Sequence, residues 1–426
     1  MFVTEVYHLG CFFFSLYQFS KGRPNRLVKY TKRCGPLAIK LIQFLLMREI
    51  IQDSQLEFTF ENCDIHTFES TKKIIKTIEE DYLIDRVIAS GSIGQVYLAY
   101  SKRELFEVAI KVKHPGIENS IHTFSKTIKI LLYFLKTKYN PLITEYLENI
   151  KIQLDYTQEA KNTMTLKEKW KSNETIVIPE IYNYSNDFIV MSYHEGTNYN
   201  DLSENDKTKA SIIMNFVLME SLLIHDFIHG DLHTGNWKVE NYLGKMRIII
   251  YDCGIVCKTG DIAFNKKVLS CLLGGNFIDL LYLVNDVSPK VKQCEEYILE
   301  NLPSSSIERV RFFINTLLEW CLCRNKQLIC ILSAYALIGE ISGSSSRFYT
   351  KYVGNDHYLY ECLVYIYIGL LENTKIFGCL KQFLEQWMDS DPIHKERYTS
   401  WLMERFGHKK GYILNTLIYQ KLKIDF

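Results

Sequence analysis

Apolar positions change their period along the chain, and each change marks a section. Up to about residue 80 the spacing is helical. Pro36 suits the first turn of a helix through Lys40, Gln43 and Arg48, and Thr67 can cap a helix running to Glu80 with Ile74, Ile75 and Ile78 on one side. From 83 to 113 the period shortens to that of strands. Val87–Ala89 and Val96–Ala99 flank a small-residue turn, and 106–112 forms a third β-like run. Helical spacing returns at about 117–138 and 142–172, then strand character at 176–179 and 187–191. A long apolar helix is expected over 207–227. The β-branched run Ile248–Ile250 reads as a buried strand, and everything beyond about 258 reads as helix: 261–286, 290–301, 305–342, a loop at 342–346, then more helices. The expected division is therefore 1–82, a helical extension; 83–192, strands with inserted helices; and 193–426, largely helical.

Composition narrows the function classes. The 426 residues are 47% hydrophobic, enough for a sizeable core, and a formal charge of +1 argues against a polyanionic partner, so no nucleic acid is expected. Twelve scattered cysteines without C-x-x-C or zinc spacing fit reduced thiols in a cytosol-like compartment. Cys253 and Cys257 read as packing rather than redox residues. No signal peptide is evident and no uncharged apolar run reaches about eighteen residues; the longest candidate, 358–371, contains Glu361. Apolar 11–19 followed by Lys21, Arg23, Arg26, Lys29, Lys32 and Arg33 leaves peripheral lipid contact through 11–33 open, beside the preferred reading of a docked helix. The Ile-, Asn-, Lys- and Tyr-rich usage points to an AT-rich genome such as that of a large virus, which would place the protein in host cytoplasm or virion.

The candidate chemistry sits in four strings. His229-Gly230-Asp231-Leu232-His233-Thr234-Gly235-Asn236 is followed by Ile250-Tyr251-Asp252-Cys253-Gly254. Asp231 and Asn236 are five apart and Asp252 ends a strand-like run, the order in which protein kinases place a base and two metal ligands. Carboxylate and amide oxygens suit Mg²⁺, and a carboxylate can position and deprotonate a nucleophile. Ala89-Ser90-Gly91-Ser92-Ile93-Gly94-Gln95 lies between the first two strands, where small residues let backbone N–H groups approach phosphates. Val108-Ala109-Ile110-Lys111 matches a kinase strand whose lysine holds phosphates and pairs with a helix glutamate, here Glu159.

In this order the strings resemble the UbiB-type (aarF-domain) atypical kinases, a family associated with coenzyme Q biosynthesis. Gly35-Pro36 with Lys40 to Gln43 is similar to its K-x-G-Q helix. Residues 89–96 resemble its alanine-rich loop, 108–116 its V-A-x-K-V-x-x-P-G, and Gln153-Leu154-Asp155-Tyr156 with Glu159, Ala160 and Asn162 its E-L-D-F…E-A-x-N. The resemblance implies an α+β, bilobal protein-kinase-like fold with a helical N-terminal extension and a largely helical C-lobe. It implies Mg-ATP bound between lobes and a γ-phosphoryl group passed to water, a small or lipid-like molecule, or a protein. Asp231, Lys111 and Glu159 would be catalytic; Asn236 and Asp252 would hold metal. Residues 89–95, Lys111, Met191 and Tyr193 would bind the nucleotide, and Lys40, Gln43, Gln153 and Asp155 would form a regulatory motif.

Five positions depart from the family pattern: Ile42 for glycine, Gln153 for an acid, Gly91 for alanine, Ser192 for an acid and Cys253 for Phe. Gly91 is expected to let the loop reach positive φ, and Ile42 to displace the N-terminal helix from the nucleotide cleft. Two other functions stay open: an aminoglycoside- or choline-kinase-like phosphotransferase, which shares the 229–236 pattern, and a nucleotide-binding pseudokinase scaffold.

Overall fold

A computed structural model describes residues 66–344, apart from 136–139, 172–174, 259–260, 274, 305 and 323–324, and positions 7, 10–15, 17–18, 27, 31, 38, 41 and 42. Lys40, Gln43, the basic cluster from Lys21 to Arg33 and the helices expected beyond 344 lie outside the described residues. The chain forms two compact units. One comprises Met1–Glu168, Ile178–His194 and Asp252–Ile255; the other comprises Lys169–Val177, Glu195–Tyr251 and Val256–Phe426. The grouping joins the N-terminal extension to the strand-rich section and moves Asp252–Ile255 into that unit.

The first unit is built on a sheet of β1 (Tyr82–Ser90), β2 (Gly94–Ser101), β3 (Glu107–Lys113), β5 (Ile181–Tyr184) and β6 (Phe188–Ser192), in the order β1-β2-β3-β6-β5. Every adjacent pair is antiparallel. β3 is central and buried on both faces, whereas the edge strand β1 is largely exposed and carries two register shifts. Strand period then sorts the side chains. Val108, Ile110 and Val112 join Tyr97, Ala99, Phe188, Val190, Ile75 and Ile78 in one core. Lys111 falls on the other face with Ile189. There Ile93, Tyr156, Ala160 and Ile189 form a second cluster under α4 (Tyr156–Trp170).

The helix expected from Thr67 to Glu80 is shorter. α1 covers Phe68–Ile74, and turns follow to Asp81. The helical stretch expected at 117–138 is α2 (Ile117–Leu135). The one expected at 142–172 is two helices, α3 (Asn140–Ile152) and α4. The break falls where the exposed Asp155 accepts a hydrogen bond from the Gln158 N–H at 2.8 Å, capping α4. Ile117, Ile121, Phe124, Ile128 and Leu132 form one stripe of α2. They share a core with Tyr146, Leu147 and Ile150 of α3 and with Phe12, Leu27, Ala38, Leu41 and Ile42. Phe12 and Leu27 are fully buried in this core, while Tyr7, Phe14 and Tyr17 are exposed. Ile42, which stands where the family has glycine, is fully buried and fills this core.

The second unit carries short sheets and helices. β4 (Ile176–Val177) pairs parallel with β9 (Lys245–Ile250), and β8 (Trp237–Tyr242) pairs antiparallel with β9. The β8–β9 turn places Leu243 at φ 52 and Gly244 at φ 76, the positive values a two-residue hairpin turn needs. β7 (Phe227–His229) pairs with β10 (Val256–Lys258). The helix expected at 207–227 is α5 (Glu204–Glu220), capped by Ser203 accepting from the Asp206 N–H, and a π-helical turn at Ser221–His225 leads into β7. Later helices are α6 (Ile262–Leu273), α7 (Phe277–Val284), α8 (Pro289–Asn301), α9 (Ser306–Glu319) and α10 (Lys326–Ser344). The helix expected over 261–286 thus breaks before Phe277, the one over 305–342 breaks between Glu319 and Lys326, and α10 runs into the stretch expected as loop. Among the described residues no helix is long and apolar enough to cross a membrane.

Replacing Ile42 by Ala, a step toward the family's glycine, should destabilise the first unit by about 2–5 kcal/mol, because it leaves a cavity in a filled core. Denaturant unfolding checks this; a loss below about 0.5 kcal/mol would show that the contact is dispensable.

Candidate active site

Three charged groups meet in the first unit. Lys111 lies on the α4-facing side of β3. Glu159 lies on the buried stripe of α4 that also carries Tyr156, Ala160 and Thr163. The Lys111 Nζ donates to Glu159 Oε1 at 2.6 Å and to Asp252 Oδ1 at 3.3 Å. Their side chains are 15%, 4% and 42% exposed respectively, so the pair is buried and Asp252 forms its open side. Burial alone would lower the lysine's pKa, but Asp252 and then Glu159 overcome it and hold the ammonium well above its ordinary value. The Tyr156 ring lies 5.1 Å from the Lys111 Nζ and 5.3 Å from the Lys113 Nζ, and burial raises its hydroxyl pKa.

The Asp252-Cys253-Gly254 turn is fastened from several sides. Asp252 takes φ 60, a left-handed conformation that Asp tolerates better than most residues. Asn162 donates to the Cys253 carbonyl at 2.9 Å. A Cβ on Gly254 would meet Asp252 Oδ1 at 3.4 Å, Gln153 Cγ at 3.5 Å and Glu159 Oε2 at 3.7 Å, which places Gln153 beside this turn. Cys253 is fully buried, and burial pushes its thiol up to about 12, as suits a packing residue.

The turn between β1 and β2 closes with the Gly91 N–H donating to the Gly94 carbonyl at 2.9 Å. Gly94 is the constrained glycine: a Cβ there would collide with the Tyr156 hydroxyl and the Val112 carbonyl. Gly91 differs from expectation. It is not among the described residues with positive φ, and a Cβ would meet only the Gly94 carbonyl at an ordinary 3.6 Å, so alanine fits there without strain. Gln95 also differs. Strand alternation turns its fully buried side chain to the face opposite Lys111, where it accepts from the His66 N–H at 3.0 Å and donates to the Tyr97 hydroxyl. Ile93 is likewise a core residue. Met191 packs against the cluster that holds Tyr156, and Tyr193 follows β6.

The second unit carries the other string. Asp231 follows β7, and its N–H donates to His229 Nδ1 at 3.2 Å; the His229 Nε2–H then donates to the Tyr251 carbonyl at 3.2 Å. His229 is 2% exposed and so ties the Asp231 loop to the residue preceding Asp252, a role its place in the string did not reveal. The Asn236 Nδ2 donates to the Asp231 carbonyl at 2.8 Å, leaving Oδ1 as the amide atom suited to a cation, and the Asn236 carbonyl accepts from the Tyr251 N–H at 3.1 Å. His233 Nε2 lies 3.8 Å from Asp231 Oδ2. Among the described residues no three His, Cys, Asp or Glu cluster as a self-sufficient metal site. Carboxylate and amide oxygens are of the hard type that Mg²⁺ takes beside waters and phosphate oxygens.

The model of the ABC1 atypical kinase-like domain matches residues 52–279, more than half of the chain. The chain belongs to this family. It is 26% identical over 244 residues to the Dictyostelium discoideum "Probable serine/threonine-protein kinase abkB", covering 52% of this chain and 36% of that one. It is 28% identical over 207 residues to the "Probable protein kinase UbiB" of Blochmanniella pennsylvanica, covering 45% of this chain and 37% of that one. The match thus spans little more than a third of each of these relatives. Among solved structures, the Mycobacterium tuberculosis protein Rv3197, determined with erythromycin, aligns at 16% identity and a TM-score of 0.43, covering 75% of this chain and 94% of that one. Family membership gives the fold: α+β and protein-kinase-like.

Two outcomes follow. Gly94→Ala should displace Tyr156 or β3 and lower the melting temperature, whereas Gly91→Ala should leave it within about 1 °C, the shift expected of an unstrained surface change. Equal melting of the two variants would contradict the packing described. Iodoacetamide at pH 8 should leave Cys253 unmodified in the native protein and alkylate it after unfolding; native labelling would show the thiol to be accessible.

Proposed function

We propose that the chain is a phosphotransferase or ATPase that binds Mg-ATP and passes its γ-phosphoryl group to water, a small or lipid-like molecule, or a protein. The observation that carries this is the buried Lys111 ammonium held between Glu159 and Asp252. Structural packing alone gives little reason to bury such a group, because burying ions costs several kcal/mol that an apolar substitute avoids. A phosphate site needs it: the glutamate holds the cation in place, and the ammonium can turn from Asp252 toward phosphate oxygens.

Lys111 would contact phosphate oxygens, with Glu159 keeping it oriented and protonated. Asp252 and Asn236 would hold Mg²⁺, which when bound neutralises phosphate charge during transfer. The Ser90–Gly94 turn would offer backbone N–H groups to the nucleotide. Asp231 would orient the acceptor hydroxyl and take its proton; the His229 hydrogen bond to its backbone and the Asn236 hydrogen bond to its carbonyl fix its loop. Gly254, backed closely by Asp252, Gln153 and Glu159, would keep the metal carboxylate beside the lysine.

Two variants test the assignment. Asp252→Asn should sharply weaken Mg-dependent ATP binding, since it removes a charge from the metal site; unchanged thermal stabilisation by Mg-ATP would refute its role. Asp231→Asn should retain binding but lose turnover by about a hundredfold or more. Turnover at the wild-type rate would assign the base elsewhere, and binding without turnover in the wild-type protein would favour a nucleotide-binding scaffold.

A further inference from the structure

A buried polar network joins the segment before α1 to the β1–β2 turn. The imidazoles of His66 and His114 meet Nδ1 to Nδ1 at 2.7 Å, edge to face at 85°. His114 Nε2 lies 2.8 Å from the Gly91 carbonyl, and the His114 N–H donates to the Ile93 carbonyl at 2.8 Å. One residue therefore holds two carbonyls of the turn.

The directions of these bonds follow from chemistry. A carbonyl only accepts, so His114 Nε2 carries the proton, and a neutral ring then offers Nδ1 as acceptor. His66 must donate from its own Nδ1. That leaves His66 Nε2 as an acceptor, satisfied by the Thr71 hydroxyl at 2.8 Å. The Thr71 oxygen accepts from the Tyr97 hydroxyl, which accepts from the Gln95 amide. The Gln95 Oε1 accepts from the His66 N–H, which returns the chain to its start. Thr71 and Gln95 are fully buried, Tyr97 is 2% exposed and His114 9%. Both rings are neutral at neutral pH: burial, then His114, lowers His66 to about 4, and burial lowers His114 against the opposing pull of the Gly91 carbonyl. The other tautomer of either ring would set two protons or two lone pairs face to face, so the arrangement has a single solution.

The peptide unit is planar and trans, so each carbonyl fixes the N–H of the next residue in the opposite direction. With the Gly91 and Ile93 carbonyls on His114, the N–H groups of Ser92 and Gly94 point away from it. We propose that His114 is the positioning residue of the β1–β2 turn, presenting these N–H groups to the phosphates of a nucleotide, and that the chain from Gln95 through Tyr97, Thr71 and His66 fixes its tautomer. This rests on the turn being the phosphate site proposed above.

The test uses the full chain as wild type, His114→Leu, His114→Gln and Thr71→Val. Calorimetry gives Mg-ATP affinity, steady-state assays give kcat and KM for ATP, and hydrogen exchange without nucleotide gives the protection of residues 90–95. His114→Leu should weaken Mg-ATP binding about tenfold, the equivalent of one lost hydrogen bond, and raise KM more than it lowers kcat. It should also speed exchange in the turn. His114→Gln, which keeps a donor for the Gly91 carbonyl, should recover most of both, and Thr71→Val should shift both in the same direction by less. His114→Leu with affinity within twofold and unchanged exchange overturns the proposal. If that variant fails to fold, Thr71→Val and His114→Gln decide: unchanged affinity and exchange in the former, or exchange as fast as in unfolded chain in the latter, overturns it. If the wild type binds no Mg-ATP, the nucleotide reading fails by itself, and exchange in the turn still decides whether His114 positions it.

Discussion

The rest of the first unit is arranged around one interaction, the Lys111 ammonium between Glu159 and Asp252. Placing it there requires β3 at the centre of the sheet, α4 laid across the face that Lys111 occupies, and the 252–255 segment returned to the same unit. Each requirement has a local cause. Alternation sends Val108, Ile110 and Val112 to one core and Lys111 to the other face. Asp155 starts α4 in the phase that brings Tyr156, Glu159 and Ala160 onto the sheet. The Asn162 bond to the Cys253 carbonyl sets the left-handed Asp252 beside the lysine. Removing Lys111 would leave the buried Glu159 carboxylate uncompensated, a loss of about 3–5 kcal/mol, so the arrangement resists drift even where its contribution to stability is small.

The second unit solves a different problem, holding a loop with little regular structure. Backbone groups do most of this. The Asn236 main chain and side chain bind Tyr251 and Asp231, and His229 bridges the Asp231 N–H and the Tyr251 carbonyl. A ring with both nitrogens engaged has one tautomer and one orientation, which gives the buried His229 a positioning task beyond filling space.

Much of this was legible in the sequence, for identifiable reasons. Lys111 sits in a β-branched run of unambiguous period, and the spacing of Asp231, Asn236 and Asp252 has few structural substitutes. The kinase pattern of a strand lysine paired with a helix glutamate points to Glu159 as partner before any family resemblance enters. Asp155 and Gln158 carry a capping signal for the break before α4, but apolar spacing on both sides favours one long helix. The β8–β9 hairpin was missed because its turn is Leu243-Gly244, and a leucine at positive φ is not a hairpin signature. Adjacency groups Gln95 with the turn, yet a single step along a strand reverses its face. The His66–His114 pair joins residues 48 apart, and lone histidines in sequence have no period to betray them.

Acyl transfer from an ATP acyl-phosphate to the Lys111 amine tests most directly the proposal that nucleotide phosphates bind there. Mass spectrometry of the labelled full chain should find Lys111 acylated in preference to the other lysines, and excess Mg-ATP should block that label. Label confined to other lysines, or label on Lys111 that Mg-ATP does not reduce, would contradict the account.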